Sequence, residues 1–123
     1  MIKRLTTAQE VNNFPFPDWI KLLYPVIISH EDVAILVSDD SLSGVVAEIH
    51  RGPTMQKLFI VWMQCNPEDK NVGLEFHEKI VEWGKSRGCR SMSFVSTREE
   101  VLGMMEKYKF TCIRTETEIS KAI

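Results

Sequence analysis

Three apolar runs follow one another in the first half of the chain, and each is rich in β-branched residues. Runs of this kind, bounded by turn residues, are typical of strands. The segments between them, DDSLS and RGPT, contain the residues that β-turns favour. The pattern therefore predicts an antiparallel meander of three strands, with the sequences VAILVS, GVVAEIH and KLFIVWMQC.

The segment before the meander has the pattern of one short strand and two short helices. Ile2 to Leu5 predicts the strand. Thr7, with Glu10 three residues later, predicts a capping box at the start of the first helix, and the prolines of FPFP end that helix. A second helix is predicted from Asp18 to about Tyr24. It should end before Pro25, because proline lacks an N–H and restricts the residue before it.

The segment that follows the meander changes to a helical period. Phe76, Ile80 and Trp83 recur at positions i, i+4 and i+7, which places them on one face of a helix. Gly84 on the same helix would let it approach the sheet closely. Gly88 has the position of the glycine that commonly ends a helix. This segment therefore predicts one amphipathic helix packed on the sheet.

The last third of the chain predicts strand, helix and strand. CRSMSFVS is the first strand, Thr97 begins the helix, and FTCIRTETEIS is the final strand. The complete order is β-α-α-β-β-β-α-β-α-β. An antiparallel meander followed by a strand–helix–strand crossover predicts an α/β fold, with a mixed sheet and helices on both faces. No linker interrupts the chain, so residues 1–123 are expected to form a single domain.

Composition narrows the class of protein. The net charge of −2 argues against a nucleic-acid partner held by phosphate neutralisation. No stretch has the length and apolarity of a membrane span or of a leader peptide, so we expect no membrane partner. The three cysteines and three histidines have neither disulfide nor metal-ligand spacing, which predicts reduced thiols, a cytoplasmic location and no metal site.

The element order, together with the run VEWGKSRGCRSMSFVSTREEVLGMMEKYKF, resembles the GNAT superfamily of acyl-CoA-dependent N-acyltransferases. The order matches over nearly the whole chain, whereas the sequence likeness begins at about Lys57. The resemblance implies a GNAT-like fold and acetyl-CoA as the acyl donor. It identifies the chain as a divergent member, because the loop that binds the cofactor pyrophosphate is eroded.

That loop has the form Arg/Gln-x-x-Gly-x-Gly/Ala in the family, and here the corresponding segment reads PEDKNVGLEF. One alignment places Lys70 at the Arg/Gln position and Gly73 at the first glycine, which leaves Glu75 at the last small residue. The other places Glu68, Asn71 and Gly73 at the three positions and adds carboxylates near the diphosphate. Either way, one element of the family loop is missing. Gly73 either belongs to an anion site formed by backbone N–H groups at the start of a helix, or is a loop glycine with positive φ.

The resemblance further implies that the fourth and fifth strands separate at their ends, and that the pantetheine arm lies in the gap. The arm would pair with the backbone of the fourth strand. The residues expected to bind the cofactor are Trp62, Met63, Gln64, Cys65, Lys70, Asn71, Val72, Gly73 and Leu74.

Proton chemistry is where the chain departs from the family. The family's Tyr-x-x-x-Gly-Phe segment has a tyrosine that donates a proton, but here Met105 and Lys109 stand at the tyrosine and glycine positions. Tyr108, about one turn further along, is either a relocated acid or a core tyrosine. Glu48 and His50 share one face of a strand, and they are either a catalytic base or a solvated pair.

The function expected from these observations is an N-acetyltransferase that transfers the acetyl group directly from acetyl-CoA to a small-molecule or peptidic amine. Orientation would supply most of the rate, because loss of one general acid costs only about 10²–10⁴-fold. A non-catalytic GNAT-fold protein with a structural or interaction role, similar to some small phage proteins, is one alternative. An acyl-CoA sensor is another. Alternating Thr and Glu in the final strand would permit a homodimer edge.

Overall fold

The computed structural model describes residues 1–95, 111–112 and 118–123. Three helices lie in these ranges: α1 (Ala8–Asn13), α2 (Asp18–Ile27) and α3 (Val72–Ser86). The strands are β1 (Ile2–Arg4), β2 (Val33–Ser38), β3 (Gly44–Arg51), β4 (Gln56–Gln64), β5 (Cys89–Val95), β6 (Thr111–Cys112) and β7 (Glu118–Ala122). No helix within the described ranges is long and apolar enough to cross a membrane.

One mixed sheet joins the seven described strands in the order β1-β2-β3-β4-β5-β7-β6. The pairs β1–β2, β2–β3 and β3–β4 are antiparallel, which confirms the predicted meander. Strand β5 lies parallel to β4, because α3 carries the chain back across the sheet between them. The α/β class with a mixed sheet is therefore confirmed.

The helices cover opposite faces of the sheet, as predicted. Helix α3 packs through Phe76 and Ile80 on Leu58 of β4 and on its neighbours. Helices α1 and α2 pack on the other face, where Val11 and Ile20 meet the alternate residues of β2. Because side chains alternate between the two faces of a strand, β2 and β3 contribute to both hydrophobic clusters.

Both N-terminal helices begin where they were predicted to begin, but α2 ends later than predicted. Thr7 and Glu10 form the predicted capping box, in which the Thr7 hydroxyl accepts from the Glu10 N–H at 3.2 Å. Helix α2 does not end before Pro25 but continues through it to Ile27. A proline in the last turn removes a single backbone hydrogen bond, and its fixed φ is itself helical, so the helix can pass through it.

The single final strand predicted over FTCIRTETEIS is wrong. Its ends belong to two strands, β6 and β7, which pair antiparallel with Thr111 opposite Ser120. Alternation of Thr and Glu has the period of a strand but does not show where the chain reverses. The helix predicted from Thr97, which includes Met105, Tyr108 and Lys109, lies outside the described residues.

Candidate functional site

Strand β4 carries a bulge just past its last described pair with β5. Ala47 lies opposite Ile60, but Val46 lies opposite Trp62, so Val61 is the extra residue. The parallel pairing of β4 with β5 ends at Ile60 and Phe94. A bulge bends and twists a strand locally, so β4 changes direction just past its last described pair with β5.

Past the bulge, β4 keeps a partner on one edge only. Its last residues remain paired with β3, where Met63 lies opposite Val45 and Gln64 opposite Gly44. The edge that faces β5 has no strand partner from Val61 to Gln64 within the described ranges. Unpaired N–H and C=O groups on such an edge can pair with an extended ligand. The gap between the two strands that the family resemblance implied would lie on this edge, and the residues that follow β5 lie outside the described ranges.

The loop after β4 is held by its own backbone and side chains. The Asn66 N–H donates to the Ser43 hydroxyl at 2.7 Å, which ties the loop to the β2–β3 turn. The Asn66 side chain in turn accepts from the Glu68 N–H at 3.0 Å. The loop therefore leads to α3 in a defined conformation beside the open edge of β4.

The start of α3 already holds a carboxylate. One oxygen of Asp69 accepts from the N–H groups of Asn71 at 3.0 Å and Val72 at 3.1 Å. The Asn71 side chain makes no capping hydrogen bond, so Asp69 fills that role. Within the described part of the chain, the N–H groups of Gly73 and Leu74 have no acceptor, and they are the donors left for a ligand.

Cys65, at the end of β4, lies between this loop and the core. Burial raises the pKa of its thiol, and the nearby Asp69 charge raises it further. The thiolate is the nucleophilic form of cysteine, so this thiol is poorly suited to form an acyl-enzyme. Lys70 is exposed, which places its ammonium group in solvent beside the start of α3.

Glu48 and His50, the residues predicted as a base or a solvated pair, lie close together. His50 Nε2 lies 3.5 Å from Glu48 Oε1, and the imidazole stacks on Phe59 with 4.8 Å between ring centroids. The Tyr24 hydroxyl donates to the Glu48 carboxylate. Burial and this carboxylate raise the pKa of Tyr24 well above its ordinary value, so the hydroxyl remains a donor. The pair lies on the face of the sheet that α1 and α2 cover.

Glu48 and His50 do not lie beside the open edge of β4. Glu48 is opposite Phe59 and His50 is opposite Lys57, at positions where β4 is still paired with β5. Phe59 lies two positions before the bulge at Val61, or about 7 Å along the strand. The structure thus joins Glu48 to His50 but separates both from the start of α3.

Sequence reasoning missed Tyr24 as a partner of Glu48. The only signal was its spacing of four residues from Ile20, which places both on the buried face of α2. Which strand residue it would meet depends on how α2 crosses the sheet. Tyr108, the predicted acid, lies outside the described residues.

Known proteins resemble this chain in structure but not in sequence. No protein-family model matches the chain, and no curated protein sequence matches it. Solved structures do match. The aminoglycoside N-acetyltransferase AAC(6′)-Iy in complex with CoA superposes with a TM-score of 0.69 at 13% identity, covering 89% of this chain and 88% of that chain.

Two further structures match over almost the whole chain. PaiA N-acetyltransferase from Thermoplasma acidophilum in complex with coenzyme A has a TM-score of 0.63 and 13% identity, covering 100% of this chain and 99% of its own. A chain of the NatC complex bound to Gag peptide and CoA has a TM-score of 0.65 and 9% identity, covering 99% and 95%. The chain has the GNAT fold. At 9–13% identity these structures share the fold of this chain but few of its residues.

Proposed function

We propose that the protein is an acyl-CoA-dependent N-acetyltransferase that acts on a small-molecule or peptidic amine. The observation that carries the proposal is an edge of β4, from Val61 to Gln64, that has no strand partner among the described residues. It directly precedes a helix whose Gly73 and Leu74 N–H groups have no acceptor among those residues. An extended pantetheine arm would pair with the open edge. The pyrophosphate would meet the helix start.

Transfer would be direct. The amine nitrogen attacks the thioester carbonyl carbon, the C–S bond breaks, the amine loses a proton and the thiolate gains one. The raised pKa of the Cys65 thiol argues against an acyl-cysteine intermediate. Positioning of the two substrates supplies most of the rate, because proximity can be worth about 7–11 kcal/mol.

Glu48 and His50 are the proposed base, reached through water from an amine bound at the bulge. The hydroxyl of Tyr24 and the ring of Phe59 fix the orientation of the pair. We retain Tyr108 as a proposed donor for the leaving thiolate. The residues proposed to bind the cofactor lie on the β4 edge, from Trp62 to Cys65, and at the start of α3, from Lys70 to Leu74.

A second function is favoured by a different observation. The Asp69 carboxylate already occupies two N–H groups at the start of α3. A negative charge there opposes a diphosphate, as expected of a GNAT-fold protein that has a structural or interaction role and binds no acyl-CoA. The acyl-CoA sensor is the intermediate case, with binding but no transfer.

The test is isothermal titration calorimetry with acetyl-CoA, followed by an assay of free-thiol release with a panel of amines. The proposal expects a dissociation constant below about 1 mM for the wild type. Gly73→Glu should weaken binding by at least tenfold, because it places a carboxylate at the helix start; about 1.4 kcal/mol of repulsion suffices. Ser29→Glu, which adds the same charge at an exposed site after α2, is the matched control.

The outcomes separate the three functions. Binding with thiol release supports the enzyme, and binding without release from any amine supports the sensor. Absence of binding by a folded wild-type protein overturns both and leaves the non-catalytic role. Equal affinity in wild type and Gly73→Glu would overturn the placement of the pyrophosphate at α3.

A further inference from the structure

A second cleft lies on the α3 face of the sheet, away from the candidate site. Its volume is about 310 Å³, and it is formed by the second half of α3 against β1 and β2. The residues that line it are Arg4, Ala34, Leu36, Lys79, Ile80, Glu82, Trp83 and Ser86. Trp83 lies ten positions after Gly73, or about 15 Å along the helix axis. This cleft is therefore distinct from the start of α3.

Two arginines converge on the aromatic wall of the cleft. The Cζ atom of Arg4 lies 5.7 Å from the centroid of the Trp83 ring, and that of Arg87 lies 5.2 Å from it. Arg87 also donates to the hydroxyl of Ser86, which lines the cleft, at 3.3 Å. Lys79 adds a third positive charge, whereas Glu82 is the one carboxylate among the lining residues.

Neither arginine forms an ion pair among the described residues, although the charge of Arg87 acts on the more distant Asp32 carboxylate and helps to lower its pKa. Within the described ranges, no carboxylate lies within 4.0 Å of the guanidinium group of Arg4 or Arg87. Arg4 donates to the Val33 carbonyl at 2.9 Å, and Arg87 to the Glu31 carbonyl at 3.0 Å. These bonds fix the two side chains in place. Each guanidinium has five N–H donors, so several remain on each for a ligand.

The two guanidinium charges and the indole N–H of Trp83 both favour an anionic ligand. Partial burial lowers the pKa of Arg4, and the positive charge of Arg87 lowers it further, as expected of two like charges beside one ring. The Nε1 atom of Trp83 is buried without an acceptor in the described part of the chain. An oxyanion would relieve the repulsion and offer acceptors to all three groups.

We propose that this cleft binds the phosphate group of a small ligand. Two guanidinium forks approaching from β1 and from the end of α3 suit a tetrahedral dianion with several acceptor oxygens. The volume is at the lower end for small-molecule sites, so the ligand is small or only its phosphate enters. The Trp83 ring provides an apolar surface beside the anion.

The experiment follows the Trp83 indole N–H resonance in ¹⁵N-labelled protein while inorganic phosphate is added at constant ionic strength. The chain has three tryptophans, and Trp83→Phe identifies the resonance. We expect a saturable shift with a dissociation constant of about a millimolar, which sodium chloride does not reproduce. Inorganic phosphate that binds at the start of α3 would leave this resonance unchanged.

The variants test which residues bind the anion. Arg4→Gln and Arg87→Gln should each weaken binding by about tenfold or more, since each removes charge-assisted hydrogen bonds. Glu82→Gln should strengthen phosphate binding, because it removes a negative charge from the cleft. This variant tests the site with both arginines intact. Lys85→Gln is the matched control, because it removes one positive charge from the same helix outside the cleft.

Several results would overturn the proposal. A Trp83 resonance that does not respond to phosphate, or responds equally to chloride, rules out the site. Equal weakening by Lys85→Gln would show a general charge effect. Tighter binding of malonate than of phosphate would overturn the phosphate assignment. Thermal unfolding of each variant confirms that the fold is intact before binding is compared.

Discussion

Asp69 is the residue on which the chemistry of the site depends most directly. Its carboxylate accepts from the N–H groups of Asn71 and Val72, so the protein itself satisfies part of the proposed anion site at the start of α3. A family-type loop would leave these groups to the diphosphate. Sequence placed carboxylates in this loop but did not show which N–H groups they would meet, because that depends on the turn formed from Asn66 onward.

Asp69→Asn and Asp69→Ala should separate the effect of Asp69 on stability from its effect on acetyl-CoA affinity. Asparagine keeps an acceptor for the helix start, so stability should change by less than about 1 kcal/mol. Because the negative charge is removed, affinity for acetyl-CoA should rise severalfold. Alanine removes the cap, and the free energy of unfolding should fall by about 0.5–2 kcal/mol. Calorimetry and urea denaturation measure the two effects. Weaker acetyl-CoA binding by Asp69→Asn would show that the carboxylate positions the loop rather than competing with the ligand.

Asp32 predicts a defined pH dependence of stability. Arg51 Nε and Nη2 donate to its two carboxylate oxygens at 2.8 and 2.7 Å, and these bonds hold the pKa of Asp32 below its ordinary value. A carboxyl with a lowered folded pKa stabilises the protein above its unfolded pKa, about 3.9, and loses that contribution as the pH falls further.

The wild type should therefore be more stable than Asp32→Asn at neutral pH, and the difference should shrink below about pH 4. Urea denaturation at a series of pH values measures it. Glu78→Gln is the control, because Glu78 is an exposed carboxylate with no ion pair among the residues described. A difference that is the same at pH 3 and pH 7 would mean that the ion pair does not stabilise the fold.

At the scale of elements, periodicity predicted most of the fold correctly. The meander and α3 were predictable because each has a continuous period and clear turn or capping residues. Gly88, for example, has a φ of 85° just after α3, a conformation that favours glycine. The end of α2 and the division of the last strand were not predictable. Both depend on tertiary contacts, which override the local preference of a proline or an alternating run.

Gly84 tests the contact between α3 and the sheet. A Cβ at this position would lie 2.9 Å from Leu58 Cδ2, and Leu58 is fully buried. Alanine favours a helix over glycine by about 1 kcal/mol, but overpacking costs about 1–3 kcal/mol. Gly84→Ala should therefore destabilise the protein by about 1 kcal/mol in chemical denaturation.

The Leu58→Ala background provides the matched control for this contact. With the Leu58 side chain truncated, the overlap is absent and Gly84→Ala should stabilise by up to about 1 kcal/mol. The two changes should thus be non-additive, as expected for residues in contact. Equal effects of Gly84→Ala in both backgrounds would show that the helix does not approach the sheet at Leu58.

At the scale of the whole molecule, topology explains why the location of the candidate site was easier to predict than its chemistry. Any chain with this element order brings the end of β4 and the start of α3 together, because the crossover begins there. The proposed proton transfer instead depends on single side chains such as Glu48 and His50. The sequence paired these two correctly, but their depth in the sheet relative to the bulge at Val61 depends on strand register. A one-residue difference in register changes the face and the neighbours of each side chain.

The whole chain should unfold as one unit, because the two hydrophobic clusters share β2 and β3. Ile80→Ala removes side-chain atoms from the α3 cluster and Ile20→Ala from the α2 cluster, and both residues are buried. Each change should cost about 2–5 kcal/mol, with additive effects because the sites lie on opposite faces of the sheet. Urea denaturation followed by tryptophan fluorescence and by far-UV circular dichroism should give one coincident transition, with an unchanged m-value in each variant. If Ile20→Ala instead produced a separate early transition while the α3 side remained folded, the two faces would be independent units, and the expectation of a single domain would be wrong.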